Sequence, residues 1–366
     1  MISMRGIKSN RNQNGLAAII VATVIMIILS LITVGFARLM RREQRQALDR
    51  SLSTQAFYAA ESAVNDAVRK IQDETSPLTS DKTTCSQDNN FTGTVDGTLG
   101  SSYTCLLIDQ APPTLEYTQG SVTTTSSKVI PIRAVDDDNL PVKIGRISIA
   151  WEDPYLTTTD TTLSSTPVFT CPAGDPSLPT FGNWNSKTPG MLRIDVIPAD
   201  ILDRSSLQTK TASFYAYPGS STCNGAGQTA VALSSQLGDA NKGQIIKVNC
   251  APGTVPRDCE LNIDMDPAYQ NFLYYVRIRS IYRASDMTIR TYDTASPKNQ
   301  LSIRGAQVQI DATGKVNDVL RRIQVRVPVT KSYPIPEFVL QTTDSICKQL
   351  EVAPAPANIV NNGCPL

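Results

Sequence analysis

The pattern of apolar and polar positions divides the chain into three textures. From Leu16 to Ala37 (LAAIIVATVIMIILSLITVGFA) 22 consecutive positions carry no charge and no proline. That length crosses a bilayer as one helix. From residue 38 to 74 the pattern becomes amphipathic. Leu48, Leu52, Ala56, Ala59, Ala63, Ala67 and Ile71 recur at steps of three and four, with Phe57, Ala60, Val64 and Val68 alongside. Such spacing makes one broad stripe on a helix. The segment has no glycine or proline and is rich in residues that favour helix. Asp66 can pair with Lys70 at i,i+4. Nothing interrupts the run from Leu16 to Glu74, about 90 Å of helix at ~1.5 Å per residue. Thr75-Ser76-Pro77 then ends it, because a residue before proline avoids helical angles. The stripe is mostly alanine and lacks the leucine or isoleucine that a coiled-coil seam needs, so something packs closely on it.

The third texture is β. Residues 76–127 read as loops around Cys85 and Cys105 with a strand at 103–108. Further strands are predicted at 128–134, 143–151, 191–197, 212–217, 244–249, 260–264, 271–282, 287–292, 301–310 and 316–327, with proline and glycine in most gaps. Asp136-Asp137-Asp138-Asn139 reads as the turn joining the second and third of these strands. Ile310–Val316, with Gly314 able to take positive φ, reads as a hairpin. About a dozen short strands after one long helix predict an α+β fold. It consists of a long N-terminal transmembrane and amphipathic helix followed by a mainly antiparallel β-rich globular head. The expected organisation is a basic leader at 1–15 and a helix at 16–75, membrane-spanning over 16–37 and amphipathic over 38–75. A β-rich extracytoplasmic head at 76–330 and a proline-rich, disulfide-tethered tail at 331–366 follow. The head is one domain or two.

Charge sharpens this picture. Arg5, Lys8 and Arg11 precede the apolar run with no acid among them, and Arg38, Arg41, Arg42 and Arg45 follow it. The net charge of the chain is +1, yet residues 76–270 hold 12 basic and 20 acidic side chains, and residues 271–331 hold 11 basic and 4 acidic. A secretory signal peptide has a shorter apolar core ending at small residues. A plain signal anchor and a processing point at the border glycine, Gly15, are the other two readings. The acid-free leader places the N-terminus inside and the head outside, although the four arginines run against a simple positive-inside count.

Eight cysteines stand at Cys85, Cys105, Cys171, Cys223, Cys250, Cys259, Cys347 and Cys364, all beyond the apolar run. An even number there reads as disulfides formed in an oxidising compartment. Nearest-neighbour pairing is one of 105 connectivities. There is no histidine. That removes the commonest general base and metal ligand, so no enzyme, no cofactor and no metal are expected. The remaining chemistry is sparse. Asp264 and Asp266 could form a carboxylate pair, and the aspartates at 136–138 a calcium site; strand ends and a solvated turn explain both as well. With the 271–282 strand carried on to Arg283, Arg277, Arg279 and Arg283 share one parity with Tyr275 and form a candidate anionic-ligand face. The same face would serve equally to contact the acidic half of the chain.

The short basic leader, the glycine at Gly15, the apolar run and the long helix capped by a β-rich head together resemble type IV pilins. Gln55-Ala-Phe57-Tyr-Ala-Ala-Glu61-Ser-Ala63-Val64 resembles a segment of PilX-type minor pilins. The resemblance covers residues 1–74. It implies cleavage by a prepilin peptidase between Gly15 and Leu16, other pilin subunits as partners of the helix, and a single membrane span before assembly. Major pilins carry a glutamate at the fifth residue after the cut; here that residue is Ile20. The missing glutamate implies a minor subunit within or at the tip of a pilus. Its exposed head would meet surfaces, DNA or host cells. A membrane-anchored exported adhesin or binding module with no filament role is the alternative, and a secretion-system pseudopilin is a close cousin.

Overall fold

In a computed structural model, residues 13–73, 78, 80–85, 91, 93–97, 100–154, 184, 188–200, 203–219, 229–233, 243–250 and 259–329 are described. The helix α1 runs from Gln13 to Ile71, 59 residues. It starts three residues before the expected Leu16 and ends three before Glu74. The strands follow as β1 (Thr94–Asp96), β2 (Ser101–Asp109), β3 (Leu115–Val122), β4 (Lys128–Val135), β5 (Arg146–Glu152) and β6 (Met191–Pro198). After the short helix α2 (Arg204–Lys210) come β7 (Ala212–Gly219), β8 (Ala230–Leu233), β9 (Gln244–Asn249), β10 (Cys259–Met265) and β11 (Leu273–Ile281). The last four are β12 (Ser285–Tyr292), β13 (Gln300–Arg304), β14 (Gln307–Val316) and β15 (Val319–Pro328). One long apolar helix followed by a mostly antiparallel β-rich region is the fold class expected from the pattern.

The chain forms two compact units. One holds residues up to Gln110 together with Val308–Val329, and the other is built on Ala111–Gln307. The first unit is a helix on a sheet. Its strand order is β1-β2-β14-β15. The sheet offers Tyr103, Leu106, Ile108, Val308, Ile310 and Ala312 to Ala60, Ala63 and Ala67 of the helix. Tyr103 breaks parity with Leu106 and Ile108, so a plain strand would not bury all three. The register supplies the cause: Cys105 faces Thr313 and Tyr103 faces Gly314, leaving Thr104 as the extra residue of a bulge. A bulge resets which side chains face the core.

Gly314 lies inside β14 rather than at a hairpin turn. The turn falls at Asn317-Asp318, where Asn317 holds φ +52°, a region asparagine tolerates. A side chain at Gly314 would run into the Ala56 carbonyl and the Ala60 amide of the helix. The glycine is therefore present for close approach, the other common reason for glycine within a strand. The Asp66–Lys70 pair is also corrected. Asp66 meets Arg69 at 3.3 Å and accepts from the Tyr103 hydroxyl at 3.3 Å, while Lys70 meets Asp73 at 3.7 Å. A disulfide joins Cys85 to Cys105. Lys82 and Ile108 exchange backbone hydrogen bonds at 2.9 Å beside it, fastening the chain that leaves the helix to β2.

The second unit is one eleven-stranded sheet ordered β8-β10-β5-β12-β13-β4-β11-β6-β7-β9, with β3 added beside β12. All its pairs are antiparallel except β8 with β10 and β7 with β9. The sheet curls. An isolated bridge and a disulfide join Cys250, just past β9, to Cys259 at the start of β10. Strands β10 and β11 alternate strictly between buried and half-buried residues, as a strand with one face on a core must. Trp151, Tyr274, Phe214, Ile147 and Ile149 fill the interior, and the Trp151 indole donates to the Gly190 carbonyl at 2.9 Å.

The Asp136–Asn139 turn does not make a hairpin of β4 and β5, because β12 and β13 lie between them. Asp136 instead accepts from the amides of Asp138 and Leu140 at 3.1 and 2.8 Å. Strands β1, β3 and β8 escaped sequence reading. β3 contains Gln119 and Gly120, both at positive φ, and the Asp286 carboxylate accepts from the Gly120 amide to hold that irregularity.

Candidate functional site

The candidate site is α1, whose two halves live in different surroundings. Residues 18–51 are exposed throughout. Within α1 the most apolar window of 18 residues has a mean hydropathy of 2.8, long and apolar enough to cross a membrane. Ile20 is 55% exposed and Phe36 61%. In water such a surface is unfavourable, at about 25 cal/mol per Å² of apolar area. It calls for lipid or another apolar partner. The two threonines of the apolar run have partners within the helix. Thr23 donates its hydroxyl to the Ile19 carbonyl at 2.7 Å, and Thr33 to Leu29 at 2.8 Å. A hydroxyl bonded back to its own helix leaves no unmet donor in hydrocarbon. The backbone at Gly15 and Leu16 is helical. Nothing lies within 4 Å of where a Cβ would stand at Gly35, so that glycine answers to no packing need inside this chain.

The second half changes character at Ala56. Ala56, Ala59, Ala60, Ala63 and Ala67 are all fully buried. Each contributes only a methyl group, about 0.8 kcal/mol of burial. Their small size instead brings the helix backbone against the sheet. The buried face is narrower than the sequence stripe. Leu48 is 58% exposed and Phe57 45%, because only positions turned toward β2, β14 and β15 are covered. Ser53 accepts from the Arg321 guanidinium of β15 at 2.7 Å.

The arginine face on β11 is placed differently from a free ligand platform. Tyr275, Arg277 and Arg279 do share the half-buried side of the strand, and Arg283 lies beyond its end. Each arginine nevertheless has an internal partner. Arg277 reaches the buried carboxylate of Asp195 at 2.7 Å, which Arg193 also approaches at 3.4 Å. Arg279 donates twice to the Thr124 carbonyl, at 3.1 and 2.8 Å. Arg283 pairs with the fully buried carboxylate of Asp153. Just before it Tyr282 takes φ +72° and stacks on Trp184 at 4.1 Å. Both acids come from the acidic portion of the chain, and buried charges of this kind need such partners.

Asp264 is engaged as well. Arg146 grips it with two nitrogens, at 2.8 and 3.0 Å, and that hydrogen bonding raises the Arg146 pKa against the cost of burial. An open hollow of about 580 Å³ beside it is lined by Arg146, Glu260, Tyr292 and Lys298 among others. Among the described residues no group of three potential ligands could hold a metal ion. Cys171, Cys223, Cys347 and Cys364 lie outside the described residues.

No curated protein and no solved structure matches the chain. Residues 14–65 match the family model described as PilX N-terminal. The matched span begins beside Gly15, takes in the whole exposed half of α1 and ends within its alanine face. Membrane association and pilin partners are consistent with that helix. The N-terminal helix of this chain is thus similar to the PilX N-terminal region, which supports a type IV pilus-related minor pilin.

Proposed function

We propose that the chain is a non-catalytic minor pilin, cut by a prepilin peptidase between Gly15 and Leu16 and built into or at the tip of a type IV pilus. The observation that carries the proposal is the single unbroken helix with two surroundings. Its exposed apolar half suits a bilayer before assembly and a bundle of neighbouring helices after it. Its alanine half is committed to the chain's own sheet. Ile20 favours a minor place. A major subunit uses a carboxylate there, and a buried carboxylate without a partner is costly. Before assembly the chain spans the cytoplasmic membrane once, with its N-terminus on the inner side and its head outside. The head then meets surfaces or other ligands from the filament. The absence of histidine supports a role in contact rather than catalysis.

Fractionation tests this reading. Sheared surface filaments should contain the wild-type chain in small amounts. A Gly15→Asp variant should stay in the membrane fraction. Wild-type protein recovered only from membranes, with filaments unchanged by its deletion, would support the anchored adhesin or binding module instead.

A further inference from the structure

Beyond the apolar run, α1 carries Arg38, Arg41, Arg42 and Arg45. The helix is continuous there and all four are exposed. At ~100° per residue they fall within a sector of roughly 100°, one face of the helix. Glu43 lies on the far side of that helix, and Asp49 closes the arginine face one turn further on. Among the described residues no ion pair involves any of the four arginines. Depth is set by the run before them. The 22 residues from Leu16 to Ala37 rise about 33 Å, matching a hydrocarbon core of about 30 Å. Arg38, Arg41 and Arg42 therefore stand about 2–8 Å beyond the core, where headgroups lie, and Arg45 about 12 Å beyond it. Long guanidinium side chains can reach back to that zone. Their planar forks match phosphate oxygens in pairs.

We infer that this face binds anionic phospholipid headgroups of the outer leaflet while the chain is held in the membrane. Four cations on one face, at headgroup depth and without a protein partner, select lipids of net negative charge over zwitterionic ones. The binding sets the depth and rotation of α1, and so the height at which the unit packed on Ala56–Ala67 stands above the bilayer. It rests on the membrane reading of α1 and on the proposed orientation, and not on cleavage or filament entry.

The test uses the full chain reconstituted in phosphatidylcholine vesicles with a trace of spin-labelled lipid. The fraction of motionally restricted label is compared for phosphatidylglycerol and phosphatidylcholine. The expected result is a preference for phosphatidylglycerol of about threefold or more at low salt, falling toward one at about 0.5 M NaCl. Joint replacement R38Q/R41Q/R42Q/R45Q should remove most of it, the remainder belonging to Arg5, Lys8 and Arg11 before the apolar run. R38K/R41K/R42K/R45K should keep much of it, and the exposed control R69Q should leave it unchanged. Equal restriction of the two lipids by the wild type would overturn the inference. So would a preference left undiminished by the glutamine replacements or lost equally in R69Q. Protease protection of the reconstituted variants reports orientation, and the salt titration of the wild type stands without any variant.

Discussion

The two halves of α1 share one backbone and obey opposite rules. Residues 18–51 expose every side chain, and isoleucine, leucine and valine outnumber alanine there. Residues 56–67 bury only alanines against strands of the same chain. Chain length and helix propensity do not distinguish the halves, because both form helix without interruption. Side-chain volume does. A bilayer or a bundle of other subunits accepts bulk from any direction. A sheet bonded to the helix's own chain accepts only what its glycine and small residues leave room for. An apolar face therefore says what is excluded, namely water, and the size of its residues says how close the partner comes.

The largest effect should come from filling the notch under the second half. Gly314→Val should lower the stability of the helix-on-sheet unit by about 3 kcal/mol, since its branches meet helix backbone rather than a movable side chain. Thermal unfolding in detergent measures this, and a loss below about 0.5 kcal/mol would mean the helix does not approach so closely. A comparable cost of about 3 kcal/mol should fall on membrane insertion, not on folding, for Ile28→Asp. Alkaline extraction should release that variant while its unfolding curve stays unchanged. If unfolding moves too, the first half is a folding element and the contrast fails. Ala63→Leu should cost about 2 kcal/mol by overpacking, against less than about 0.5 kcal/mol for Leu48→Ala on the exposed side. Equal costs would place both on one buried stripe.

The smallest effect is local to the other unit and should leave α1 untouched. Asp203 caps α2, accepting from the Ser206 amide at 2.9 Å. Hydrogen bonds from Ser205 and then Ser206 lower its pKa from 3.8 to about 2. A depressed carboxylate contributes stability that is present above the ordinary value and lost as pH falls through the folded one. The NMR shift of the Ser206 amide should therefore follow Asp203 with a midpoint near 2, and Asp203→Ala should remove the transition. A midpoint near 4 would mean the cap is not formed.

Much of the fold could be read from residues because each half of α1 has one dominant signal. A run without charge reads as a membrane-length helix, and steps of three and four read as an amphipathic one. Strand alternation likewise marked β10 and β11. What escaped was set by partners distant in sequence. Gly314 looks like a turn residue until Ala56 and Ala60 are seen above it. Leu48 and Phe57 fit the helical period, but the sheet covers only part of that face. The parity of Arg277 and Arg279 was legible; their partners at Asp195 and Thr124 were not, since strand order decides them. The PilX-like helix was legible from Gly15 and the Gln55–Val64 segment together. The ligand of the head has no such local signature.

The first residue of the mature protein tests the central claim most directly. N-terminal sequencing and intact mass of the chain extracted from its native membrane should show Leu16 as the first residue, with the preceding 15 removed. A chain that begins at its original start, or one cut next to Ala37, would contradict the account.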